Sequence, residues 1–134
     1  MNASDDSPAV VRQRRYRWRA LLWTLAILVG CSVPGQELPA APFFSFDKVI
    51  HLVVFAGFGW LWMQTQTWSG RAVAGVVLFG LLYAIGTELY QGWMPIGRSA
   101  DPYDALADVA GLLAGVAAAG WQHRRRTLAQ TPVS

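Results

Sequence analysis

Between Glu88 and Gly111, a chain otherwise apolar enough to live in lipid places four of its eight carboxylates: Glu88, Asp101, Asp104 and Asp108. Apolar segments flank this stretch on both sides. An ionised group taken into hydrocarbon costs roughly 2.5–3.5 kcal/mol even on lenient insertion scales. A fold for this chain must therefore surround the apolar runs with lipid and bring polar partners to the acids at one level.

Charged residues make up only 14% of the 134, against 54% apolar, and seven are Trp. Soluble domains carry about 25% charge, so this balance points to a membrane protein of a single domain. The net charge of +3 does not point to nucleic acid. The cations sit at the chain ends beside apolar runs, as membrane topology signals do, and no nucleic-acid partner is expected. A single Cys excludes an internal disulfide and a Cys-x-x-Cys metal site.

Residues 1–11 are polar and acidic, and read as an unstructured start. Arg12, Arg14, Arg15, Arg17 and Arg19 follow, five arginines in eight positions, and residues 20–33 are then almost wholly apolar. With Tyr16 and Trp18 as interfacial anchors this predicts a short transmembrane helix over 18–33, stopped by Pro34-Gly35. The run Leu28-Val-Gly-Cys31 also matches a lipoprotein cleavage box. The simpler reading, a small buried residue near a helix end, is preferred for Cys31.

Further helices are predicted over 48–64, 72–93 and 103–121, giving an all-α, four-transmembrane-helix bundle spanning 20–121 with basic tails at 1–19 and 122–134. Placing the N-terminus in the cytoplasm puts Arg12, Arg14, Arg15, Arg17, Arg19, Arg71 and Arg124 to Arg126 inside, nine of the eleven cations. Only Lys48 and Arg98 are left outside. Both termini are therefore expected to be cytoplasmic. The Gly111-x-x-x-Gly115 step, with Gly75, Gly80 and Gly86 on the third helix, predicts close helix packing.

Helical spacing gathers the polar residues. Asp47 and His51 share a face at the start of the second helix, and Glu88 and Gln91 share one at the end of the third. Asp101, Asp104 and Asp108 form a stripe entering the fourth, and Arg98 lies in the loop before it. All meet at the outer level of the membrane. The ordered set Asp47-Lys48-x-x-His51-x-x-x-Phe55, Glu88-x-x-Gln91, Pro95-x-x-Arg98 and Asp104-x-x-x-Asp108-x-x-Gly111-x-x-x-Gly115 resembles the VanZ-like family of small bacterial membrane proteins, over roughly residues 43–121. Asp108 departs from the Asn that many members carry there. The resemblance implies a multi-pass inner-membrane protein. The family's founding member is linked to teicoplanin resistance, and no reaction is firmly assigned to the family.

Each residue has a functional and a structural reading. His51 is a general base oriented by Asp47, or one half of a polar pair at a helix start. Glu88 lies just inside the bilayer edge, compensated by Arg98 or His51, with Gln91 as its network partner. Arg98 binds a phosphate or carboxylate bidentately, or pairs with Asp101 and Asp104. Asp104 and Asp108 are caps, ligands of a hard divalent ion, or members of an ion-pair network; the network is preferred, so no metal is expected, and the sequence specifies no cofactor. The expected site thus has His51, Glu88 and Asp104 as catalytic candidates, with Asp47, Lys48, Gln91, Arg98, Asp101 and Asp108 binding. In the first reading the protein acts on or binds a lipid-linked, cell-wall or other anionic-headgroup ligand, beside its contacts with membrane lipids. In the alternative it is a non-catalytic membrane protein that alters glycopeptide or envelope-ligand access, and its polar cluster is structural.

Overall fold

The structure is a computed structural model that describes residues 7–33, 46–95 and 100–130. Four helices account for almost all of them: α1 (Pro8–Ser32), α2 (Phe46–Gln64), α3 (Gly70–Trp93) and α4 (Pro102–Gln130). Among the described residues there is no strand. The expected all-α four-helix bundle is what forms.

Two ends extend beyond the sequence expectation. α1 begins at Pro8, inside the segment read as unstructured, because Ser7 caps it and accepts the Val10 amide at 3.4 Å while Pro8 occupies the first turn. α4 runs on to Gln130 through Arg124, Arg125 and Arg126. Nothing from His123 to Gln130 breaks a helix, and the first proline comes only at 132. The basic segments expected as tails are therefore largely helical.

Three helices, α2, α3 and α4, are long and apolar enough to cross a membrane. The 19 residues of α2 and 24 of α3 span about 28 and 36 Å at the helical rise, against a hydrocarbon core of about 30 Å. α1 is not among them. Its arginines lie inside the helix, and the apolar part that follows them is only about 20 Å long.

The helices alternate in direction. One end gathers the C-termini of α1 and α3 with the N-termini of α2 and α4, as the Ser32–Tyr90 and His51–Asp108 side-chain contacts show. The other end gathers Gln13 with Thr65, Gln64 with Gln122, and Trp68 stacked on His123. α2 and α4 thus run side by side in the same direction.

They form the most intimate pair of the bundle, and glycine is the reason. A Cβ at Gly111 would strike the carbonyl oxygen of Leu52, and one at Gly115 that of Ala56. In return, a Cβ at Gly59 of α2 would strike the backbone of Leu112. The Leu112 side chain, fully buried, fills the space over Gly80 of α3. Of the three α3 glycines expected to pack, only Gly80 does so; Gly75 and Gly86 face open space among the described residues.

Around Leu112 lie Phe55, Phe58, Met63, Val76, Ala84 and Val116. The Phe58 and Tyr83 rings stack at 5.4 Å. α1 is held at its polar atoms: Tyr83 donates to the Thr24 carbonyl at 2.6 Å, and Trp23 to that of Val54 at 2.9 Å. Such interhelical bonds contribute only about 0.6 kcal/mol each inside a membrane. Cys31 is buried in the last turn of α1, as expected.

Gly115→Leu is expected to lower the thermal stability of the detergent-solubilised protein by about 1–3 kcal/mol or more, since backbone must move. Gly86→Ala is expected to be neutral or to stabilise by up to about 1 kcal/mol through helix propensity. Thermal unfolding of both variants measures the contrast.

Candidate functional site

At the end of the bundle that gathers the C-terminus of α3 with the N-termini of α2 and α4, three helices contribute side chains that the glycine contact brings together. The first turns of α2 supply Asp47, Lys48 and His51. The last turns of α3 supply Glu88 and Gln91, both buried. Asp101 precedes α4, and Asp104 and Asp108 occupy its first two turns, both buried.

His51 Nδ1 lies 2.9 Å from Asp108 Oδ1, and Asp108 is wholly inaccessible. Sequence spacing assigned the orienting role to Asp47, one turn before His51 on the same helix. Across the helices, Asp108 takes it, because Gly111 lets α4 approach the backbone of Leu52, the residue after His51. Asp47 stays close by: one ligand atom each from Asp47, His51 and Asp104 lie within 4.8 Å of one another.

Lys48 Nζ donates to Asp101 Oδ2 at 2.8 Å and to Asp104 Oδ1 at 3.0 Å. The lysine expected to bind an anionic headgroup is thus held by two carboxylates. Asp101 also caps α4, its Oδ1 accepting the Tyr103 amide at 2.9 Å with Pro102 opening the first turn. A single aspartate thereby fixes both the start of α4 and the head of Lys48.

Glu88 Oε2 accepts the backbone amide of Asp101 at 3.1 Å. Gln91, expected as its network partner, is buried but makes no hydrogen bond to it. Arg98, the expected compensating charge, lies outside the described residues. Three buried polar atoms have no hydrogen-bond partner among the described residues: Glu88 Oε1, Gln91 Nε2 and Asp108 Oδ2. His51, Glu88 and Asp108 also bring one ligand atom each within 4.8 Å of one another.

The structure therefore joins seven of the nine expected site residues by contacts, while Gln91 shares the end of α3 with Glu88 without a hydrogen bond to it. Sequence reasoning missed the Ser32–Tyr90 bond at 3.0 Å, which ties α1 to α3 at this same end. Neither residue carried a signal, because their contact depends on tertiary packing alone. A polar pocket lies at the opposite end, lined by Arg12, Tyr16, Gln64, Gln122, His123 and Arg126.

The Lys48 ammonium holds the Asp101 carboxyl below its ordinary value of 3.8, with the Tyr103 amide acting in the same sense and burial opposing them. A lowered folded-state pKa stabilises the fold above the unfolded value, and that stabilisation is lost as pH falls through the folded one. The stability gap between wild type and Asp101→Asn is therefore expected to be full above pH 3.8 and to narrow below it. Denaturant unfolding of both proteins across acid pH measures it.

A family model described as VanZ/LLP1 matches residues 9–122. No curated protein matches the chain, and neither does any solved structure.

Proposed function

Since the chain belongs to the VanZ/LLP1 family, we propose that it is a multi-pass protein of the bacterial inner membrane, with both termini cytoplasmic, that acts on a lipid-linked or anionic-headgroup ligand of the cell envelope. The ligand meets the acidic end of the bundle at the outer face. The observation that carries this reading is the His51–Asp108 pair, 2.9 Å apart and beside the buried Glu88. A carboxylate at one ring nitrogen fixes the tautomer and leaves the other nitrogen for proton transfer. His51 and Glu88 are the proton-handling groups. Asp104, also a catalytic candidate by sequence, instead steadies Lys48. The buried Gln91 Nε2 is a donor awaiting an acceptor, and Arg98 is the cation of that region in the sequence for a phosphate or carboxylate. The cation bias of nine to two between the two ends of the helices supports the orientation.

A second reading is favoured by the Lys48 contacts. An ammonium satisfied by two carboxylates, one of them a helix cap, is what a structural network looks like. On that reading the protein is a non-catalytic binding protein that alters access of glycopeptides or other envelope ligands.

Comparative mass spectrometry of envelope lipids and cell-wall precursors separates the two. In a deletion strain one species is expected to shift. Wild type restores it, while Glu88→Gln and His51→Gln do not, although both accumulate in the membrane. Matching profiles in all strains reject the enzymatic reading.

A further inference from the structure

Two carboxylates and an imidazole meet inside the bundle, and each carboxylate keeps one oxygen without a hydrogen-bond partner among the described residues. Glu88 is 6% exposed and Asp108 0%. Glu88 Oε2 accepts one backbone amide, and Asp108 Oδ1 meets the His51 ring. The second oxygen of each, Glu88 Oε1 and Asp108 Oδ2, is buried without a hydrogen-bond partner among the described residues. A buried acceptor left unsatisfied is costly, more so when charged. Here two such side chains belong to one cluster, whose ligand atoms lie within 4.8 Å of one another.

We propose that His51, Glu88 and Asp108 hold one divalent cation. A dication against two carboxylates leaves the trio neutral, and it supplies charge to carboxylates whose second oxygens no donor among the described residues reaches. One imidazole nitrogen with two carboxylate oxygens suits Mn²⁺ or Zn²⁺. Metal–ligand distances of about 2.0–2.2 Å require the side chains to draw together modestly, within the reach of rotamer adjustment.

The neighbouring trio, Asp47, His51 and Asp104, is the poorer candidate. Asp104 Oδ1 already receives the Lys48 ammonium at 3.0 Å, so a cation is in place there. Asp104 and Asp108, which sequence alone assigns to one ion-pair network, are thus separated by the structure: Lys48 reaches the first and not the second. The site rests on the geometry of the cluster and not on the headgroup reading; with the cation bound, His51 and Glu88 serve as its ligands in place of handling protons.

The test uses the full chain in detergent micelles, stripped with a chelator and titrated with Mn²⁺. Free ion is followed by electron paramagnetic resonance, and bound ion by electron spin-echo modulation from ¹⁴N. Wild type is expected to bind one equivalent with nitrogen modulation, displaced by Zn²⁺. Glu88→Gln and Asp108→Asn are expected to bind at least about tenfold more weakly, since loss of outer-shell partners alone costs 10–100-fold. His123→Gln, at the far end, is expected to bind as wild type does.

Absence of binding at millimolar Mn²⁺ and Zn²⁺ overturns the proposal in favour of a proton shared by the two acids. Bound Mn²⁺ without nitrogen modulation also overturns it, marking an adventitious carboxylate site. Should the variants fail to fold, the wild-type nitrogen signal alone decides.

Discussion

The approach of α2 to α4 at glycine is the contact on which the polar end of this protein depends. Hydrocarbon gives helices no hydrophobic reason to associate, so close van der Waals packing must supply it. Gly111 and Gly115 against Leu52 and Ala56, with Gly59 returning the contact against Leu112, let two backbones meet with no side chain between them. One turn before Gly111 stands Asp108, and immediately before Leu52 stands His51. A bulkier residue at 111 would part the helices where these two side chains meet at 2.9 Å. Structure and site are thus one problem in this bundle.

The distribution of polarity follows from the solvent. Leu22, Leu25 and Val29 of α1, Val53 of α2, Leu82 and Leu89 of α3, and Leu113 of α4 all point outward. Glu88, Gln91, Asp104 and Asp108 point inward. In water this arrangement would be inside out. In lipid it is the economical one, because polar groups find partners only among one another. The arginines of the described residues sit toward the far end, and Arg125 lies over the Trp121 ring at 3.8 Å, a cation–aromatic pair of the kind that holds a helix end at an interface.

The helices, their number and the identity of the polar cluster were readable from the sequence, because apolar run length and helical spacing report them directly. Asp47 and His51, four residues apart, illustrate the boundary of that reasoning. Spacing shows that they share a face, but it cannot show that a residue 57 positions away reaches the imidazole. The partner emerges only from how far α4 can approach, which glycine decides through packing. Glu88 is similar: its burial was legible from the apolar run before it, whereas its bond to the Asp101 amide depends on where the chain re-enters α4. The ends of α1 and α4 were misjudged for another reason. Arginine signals topology and is also a good helix former, so a basic stretch reads as a tail while folding as a continuation.

One feature of α4 carries a consequence for register. Ala107, Gly111, Gly115 and Ala119 recur every fourth residue, forming a smooth rail whose steps are about 6 Å apart. Against such a rail α2 could ride one step up or down with little steric penalty. Two things arrest it: Leu112 lodged between Gly59 and Gly80, and the end contacts of Lys48 with Asp101 and Asp104 and of His51 with Asp108. A slip of one step would set His51 beside Asp104 in one sense and beside Leu112 in the other. The charged cluster therefore acts as a detent for the helix pair, a catch that holds the two helices in step.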